Sequence, residues 1–434
     1  MVEASIFWFR RDLRIDDNPG LYEALANSKN VIPIFIFDTN IIDNLPSDDN
    51  RIKFIWHSLS LLNERLKEVG STLYIFKGNP LEVFKKIILK YRLISVYVNR
   101  DYEKYSIKRD KKINTFLNEN KIAFNASKDH VFFEPSEILK SDGTPYTVFT
   151  PYSKKWFEKF YSEKLPQYQI KNLVDNFFKT NYKPIMSLSE IGFSNDEIKF
   201  EKFNLGDELI KNYNSKRDFP YLNSTSKIGP YLRFGLISAR EVGKKTIEKK
   251  FDQSFLRQLI WRDFYIQIFF HFPDSENENF KPAYDKIIWL NEEEKFEKWC
   301  AGETGYPIVD AGMKELNKTG FMHNRVRMIA ASFLCKHLLI HWKKGESYFA
   351  KKLLDYEMAS NVGNWQWVAG TGVDAAPYFR LFNPEIQMKK FDPQKVYIKK
   401  WLPKYDPENY LEPIIDHNYA RERCLNAYKI ALNN

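Results

Sequence analysis

With 434 residues, 44% of them hydrophobic, the chain is too long for one compact core and suits two domains. No run of 18 or more uncharged apolar residues occurs, and MVEASIFWFRRD breaks its apolar stretch with charge, so neither a membrane span nor a secretory signal is expected. The net charge of +10, of which residues 1–130 carry +4, invites a polyanionic partner as readily as it describes a solvated lysine-rich surface.

The first 130 residues alternate. Apolar runs at Ile6–Phe9, Val31–Phe37, Thr72–Phe76 and Ile94–Val98 read as buried strands. Amphipathic stretches of helical length lie between and after them, at Leu21–Asn27, Ile52–Val69, Leu81–Lys90 and Tyr102–Asn118. Asn18-Pro19 and Asn79-Pro80 suit an N-cap followed by proline in the first turn. Such alternation predicts a parallel sheet covered on both faces. No G-x-G-x-x-G follows the first strand, so a ligand would be held by other means at the carboxyl ends of the strands. From about 130 to 200 the period is lost in prolines, Ser-Asp-Gly and lysines, as expected of a long connection. From 200 onward the period is helical, for example across FMHNRVRMIAASFLCKHLLIHW. The predicted class is therefore α/β plus all-α: an α/β domain over 1–130, a connection over 131–199 and a helical domain over 200–434.

Three cysteines (Cys300, Cys335, Cys424) are too few and scattered for a disulfide framework or a Cys-based zinc site, so no metal and a reducing, cytoplasmic setting are expected. Aromatics reach 16%, with ten Trp and 25 Tyr, more than core packing commonly uses, and tryptophans gather between Phe251 and Trp401. Three helical-half segments carry candidate chemistry. STSKIGPYLRFG, Ser224–Gly235, collects hydroxyl and backbone donors suited to phosphate oxygens, or is an ordinary helix entry. Arg325 and Arg327 stand about 200° apart on a helix, so one can turn inward to a carboxylate such as Asp355 or Glu357 while the other faces outward. DYEMASNVGNWQWVAGTGVDAAPYFR, Asp355–Arg380, sets two acids, an Asn and two Trp among glycines that allow close backbone approach to a flat ligand.

FWFRRDLRIDDNPGL, TGYPIVDAGMKELNKTGFMHNRVRM from Thr304 and the Asp355–Arg380 block resemble the photolyase/cryptochrome family, most closely class I cyclobutane pyrimidine dimer photolyases, from Ile6 to about Asn426. The resemblance implies a Rossmann-like antenna domain, then an all-helical domain holding FAD. It implies light-driven repair in which excited reduced flavin lends an electron to a dimer flipped out of UV-damaged DNA. By matched position, Tyr213, Thr225, Ser226, Lys227 and Ile228 resemble the diphosphate loop, with Gly229 where Ser is common. Arg327 and Asp355 resemble the salt bridge beside the flavin ring, Tyr356 accompanies them, Glu357 stands for the usual Asp, and Asn361 matches the residue facing flavin N5. Trp365, Trp342 and Trp289 match the electron relay. Trp261 and Trp367 resemble the pair that stacks on the flipped lesion, and Asn324, Arg325 and Met328, with Arg262 and Gln387, the DNA- and lesion-contacting set.

Gln258 stands where dimer photolyases carry a Glu on the lesion, and counts with both cofactor and lesion sets. Gln here is more like (6-4) photolyases and animal cryptochromes, yet Met322-His323 replaces the His-His pair of that branch. A cryptochrome-type photoreceptor, including a DASH-type member, is the main alternative, disfavoured by the absence of a long C-terminal extension. Tyr105-Ser106 stands where folate-binding members carry Asn-Glu, so the antenna site is expected to hold a deazaflavin or second flavin rather than folate, or to be empty. A monomer is expected.

Overall fold

The computed structural model describes residues 2–196, 200–248 and 252–433. Phe251, where the tryptophan-rich region begins, and residues 197–199, the end of the expected connection, lie outside them. The chain divides into two units, Met1–Glu137 with Phe157–Phe203 and Lys227–Lys249, and Ile138–Trp156 with Asn204–Ser226 and Lys250–Asn434.

In the first unit five parallel strands, β1 (Glu3–Phe9), β2 (Val31–Asp38), β3 (Tyr74–Gly78), β4 (Arg92–Asn99) and β5 (Ala123–Ser127), lie in the order β3-β2-β1-β4-β5. All eight residues of β2 are buried, as a sheet covered on both faces requires. The four expected strands are present. The fifth, AFNAS, is half-buried at an edge and has no apolar run to betray it. Helices α1 (Pro19–Asn27), α2 (Asn50–Glu68), α3 (Pro80–Ile87) and α4 (Lys104–Glu119) intervene. The Asn18 and Asn79 side chains accept from the amides of Leu21 and Leu81, so both Asn-Pro caps form as expected.

Boundaries drawn in chain order at 130 and 199 differ from these units, and the difference has a cause. Residues 227–248, expected in the helical domain, pack within the first unit. The Leu13 amide donates to the Phe234 carbonyl at 3.0 Å. Gly235, at φ +64, sits so near Arg11 that a Cβ would fall 2.2 Å from the Arg11 carbonyl oxygen. Arg14 and Arg240, on α5 (Ala239–Glu248), both bind the buried Asp129 carboxylate, at 2.5 and 2.8 Å. The two guanidiniums outweigh burial and hold the Asp129 carboxyl down at about 2.

The second unit is helical. It contains α6 (Ser254–His271), α7 (Pro307–Thr319), α8 (Asn324–Ser332), α9 (Trp342–Lys352), α10 (Met358–Ala369), α11 (Pro384–Phe391) and α12 (His417–Asn433). The long periodic segment expected as one helix is interrupted. After α8 it passes through a π turn at Phe333–His337, and Leu339 adopts φ +50 before α9 begins. Among the described residues no helix is long and apolar enough to cross a membrane.

Candidate cofactor and lesion site

Helix α6 carries two faces. Leu259, Ile260 and Phe264 are buried, while Ser254, Gln258, Trp261 and Arg262, three and four residues apart, are only half-buried. The Gln258 amide donates to the Ser254 carbonyl at 3.2 Å. Trp261 stacks on Phe149, with ring centroids 3.6 Å apart and planes 4° from parallel. One face of this tryptophan is thus already covered by a ring that the sequence did not single out. Trp367, on α10, is half-buried.

On α8 the two arginines engage different partners, as their helical separation requires. Arg327 pairs with Asp355 at 2.9 Å and also donates from Nε to the Met322 carbonyl at 2.7 Å. Arg325 pairs with Asp218 at 2.9 Å and lies 4.3 Å from the Phe391 ring centroid. Asn324 and Met328 sit on the outward side, with Asn324 Nδ2 3.9 Å from the Met328 sulfur. His323 caps the helix, its Nδ1 accepting from the Arg325 amide. Burial pushes its imidazole down to about 4, so it is neutral at physiological pH.

The second acid of the Asp355–Arg380 block has another partner. Glu357, expected beside Arg327 or the cofactor, is gripped by both edges of Arg262: Nε to Oε2 at 3.0 Å and NH2 to Oε1 at 2.9 Å. Arg262, expected among the DNA contacts, is therefore an ion-pair partner inside the helical unit. Its planar fork matches a carboxylate bidentately. The glycines of this block also serve a different end. Gly363 lets α10 approach α6, since a Cβ there would lie 2.2 Å from a Tyr265 ring carbon. Gly370, at φ +90, ends α10. Close packing of two helices accounts for Gly363, and the left-handed end of α10 accounts for Gly370.

Asn361 is buried on α10 and donates to the Glu346 carboxylate at 2.8 Å and to its carbonyl at 3.1 Å. Burial raises the Glu346 carboxyl above the usual range. Trp365, 2% exposed, rests on Gly345 of α9, where a Cβ would fall 2.2 Å from the indole. Trp342, 1% exposed, begins the same helix one turn earlier and donates from Nε1 to Asn279 at 2.8 Å. His341 lies 5.5 Å from Trp342 and 5.2 Å from Trp289, which is half-buried. The three tryptophans thus run from buried to partly exposed.

Of the expected diphosphate loop, Ser226 is buried and its carbonyl accepts from the Asn204 amide at 2.9 Å. Thr225, Ile228 and Gly229 flank Lys227, which takes φ +51 and pairs its ammonium with Glu201. Tyr213 packs edge-on to Phe255 at 5.0 Å, and Tyr356 is half-buried. Tyr105 and Ser106 fall at the start of α4, where the Tyr105 hydroxyl donates to Asp38 at 2.5 Å and Ser106 is buried. Gln387 is half-buried on α11, its Oε1 enclosed and without a partner.

The residues fit a polar, planar cofactor. Asp355 turns one carboxylate oxygen to Arg327, while its Oδ1 is buried with no donor. An enclosed acceptor of this kind is costly unless something supplies an N–H or O–H. Phe149, Asp218 and Glu346 were not foreseen, because each is recognisable only through a partner more than ten residues away. Among the described residues no cluster of His, Cys, Asp or Glu could hold a metal ion.

Comparison with known proteins adds independent findings. Residues 5–169 match the family described as DNA photolyase, and residues 255–409 the FAD binding domain of DNA photolyase. A deoxyribodipyrimidine photo-lyase of Alkalihalophilus pseudofirmus is 32% identical, over 97% of this chain and 97% of that protein. The crystal structure of a bacterial class III photolyase from Agrobacterium tumefaciens superimposes with a TM-score of 0.87 at 30% identity, covering 100% of this chain and 98% of that one. An archaeal photolyase from Sulfolobus tokodaii, solved with two FAD molecules, gives a TM-score of 0.84 at 34% identity, over 98% and 100% of the two chains.

Proposed function

Because this chain belongs to the DNA photolyase family, we propose that it is a deoxyribodipyrimidine photo-lyase, a light-dependent DNA repair enzyme that uses FAD to split cyclobutane pyrimidine dimers. The observation that carries the reading in the geometry is the Arg327–Asp355 pair with its enclosed, unsatisfied Asp355 Oδ1. Bound there, FAD supplies photo-excited electron donation to the lesion.

The chain's own residues do the rest. Asp355 would accept from the cofactor through Oδ1, its other oxygen being held in place by Arg327. Asn361 gives its amide N–H groups to Glu346, which would leave its Oδ1 to accept from a ring N–H while the neutral amide yields no proton. Thr225, Ser226 and the adjoining backbone receive the diphosphate, with Tyr213 alongside. Trp365, Trp342 and Trp289 pass an electron inward from the surface. Trp261 and Trp367 receive the flipped bases, and Phe149 braces the first of them. Gln258 hydrogen-bonds the lesion as both donor and acceptor. Asn324, Arg325 and Met328 line the approach of the duplex, a phosphate footprint without sequence readout.

A second flavin as antenna is consistent with the relative that holds two FAD molecules. The chain acts as a monomer in the cytoplasm.

The deciding experiment illuminates the chemically reduced, FAD-loaded protein with two oligonucleotides, one carrying a thymine dimer and one a (6-4) product. Repair of the dimer alone is expected. Repair of the (6-4) product alone moves the assignment to that branch, and repair of neither favours a photoreceptor.

A further inference from the structure

Arg325 does not stand open for a phosphate. Its guanidinium is paired with Asp218 and laid over Phe391, and Phe219 packs 6.1 Å from that same ring. The Asp218-Phe219 dipeptide therefore supplies both an anion for the arginine and part of the floor beneath it. The arrangement is also incomplete. Arg325 Nε is buried without an acceptor, and Gln387 Oε1, one helical turn before Phe391 on α11, is buried without a donor. The pair is wet on its acid side, where the Asp218 side chain is 41% exposed against 17% for Arg325. An ion pair that open is held weakly, and a second anion can replace the first. A carboxylate offers a guanidinium the same two-oxygen edge that a phosphate does.

We propose that Asp218 is an internal stand-in for a DNA phosphate. It keeps Arg325 flat over Phe391 in the free enzyme and is displaced when a duplex phosphate takes the guanidinium. The inference rests on the reading of Arg325 as a DNA contact. Two consequences follow from charge alone. Binding must break the existing pair, and the freed Asp218 carboxylate is left beside a polyanion that repels it. The freed carboxylate also gathers a cation, so fewer counterions are released on balance and the salt dependence is shallower than an open arginine would give. Asp218 is in this sense a residue that sets how strongly the enzyme holds any duplex.

The test measures binding of the FAD-loaded full chain to a labelled duplex bearing one thymine dimer, between roughly 50 and 200 mM salt. The parent is compared with Asp218→Asn, Arg325→Ala and the double variant, with bound-FAD absorbance confirming that each is folded. Asp218→Asn keeps the shape and removes the competing charge. It is expected to bind about 3- to 10-fold tighter at the low-salt end, with a salt slope steeper by up to about one. Arg325→Ala is expected to bind more weakly, and Asp218→Asn to give a smaller gain in that background, since only the repulsion between the carboxylate and the duplex is left to relieve. An Asp218→Asn protein that binds equally or less well overturns the proposal. So does a gain that persists in full without Arg325, since it reports only a less negative surface. If Arg325→Ala alone leaves binding unchanged, the DNA-contact reading of Arg325 has failed first and takes the exchange with it.

Discussion

Gly345 ties helix packing to the expected electron route, and replacing it with alanine tests both. A Cβ there would fall 2.2 Å from Trp365 Cη2 and 2.5 Å from Trp365 Cζ3 and Leu334 Cδ2. Helix propensity by itself favours alanine over glycine by about 1 kcal/mol. Overpacking a closed core costs about 1–3 kcal/mol. The indole has nowhere to retreat, because it is 2% exposed and framed by Trp299 at 6.1 Å and Phe349 at 5.0 Å. At a 2.2 Å approach the packing cost lies at the upper end of that range and wins, so Gly345→Ala should lose up to about 2 kcal/mol, or Tm by up to about 8 °C for a unit of this size. Thermal unfolding of the FAD-loaded chain reads the first effect. The rate of flavin photoreduction under blue light reads the second, which should fall as the indole shifts. An unchanged or higher Tm would refute the packing argument. A lower Tm with an unaltered photoreduction rate would show that Trp365 geometry does not limit the relay.

Three further outcomes are expected. Trp365→Phe should abolish photoreduction of oxidised FAD while sparing dimer repair by chemically reduced enzyme, and normal photoreduction in that variant removes Trp365 from the relay. Gln258→Glu should maintain or raise dimer repair yield, measured by release of intact thymines per absorbed photon, whereas a sharp fall would mean that the site is built for another lesion. Arg14 and Arg240 hold the folded Asp129 carboxyl at about 2, below the usual carboxylate range, so its contribution is complete above about pH 5 and is lost as pH falls toward 2. A depression of that size is worth about 2 kcal/mol. Asp129→Asn, which leaves Arg14 and Arg240 buried without their shared anion, should cost about 3–5 kcal/mol at pH 7 and lose this acid-range slope, as followed by denaturant unfolding between pH 5 and 2. An unchanged slope in the variant would mean that another carboxylate carries the pH dependence.

Local signals were readable where the chemistry is local. Asn18-Pro19 and Asn79-Pro80 announced their caps because the cap is made within three residues. The four expected strands announced themselves by apolar runs, six of seven residues of β1 and all eight of β2 being buried, while the edge strand β3 keeps Tyr74, Ile75 and Phe76. The other edge strand, β5, went unseen because AFNAS has no such run. Motif order carried the family, and the resemblance singled out Asp355 as the partner of Arg327, where the separation of Arg325 from Arg327 by about 200° left Asp355 and Glu357 both open.

The sequence by itself thus determined the α/β and helical halves, the family and the kinds of side chain to be expected at a cofactor and lesion site. Only the tertiary structure decided which of those side chains are already taken. Glu357 belongs to Arg262, Arg325 to Asp218 and Phe391, Trp261 to Phe149, and Asn361 to Glu346. Each of these partners lies far along the chain. Long-range choices are set by which helix faces come together, here because Gly345 and Gly363 let neighbouring helices close to ring-contact distance, and no periodicity within one helix records what stands opposite it.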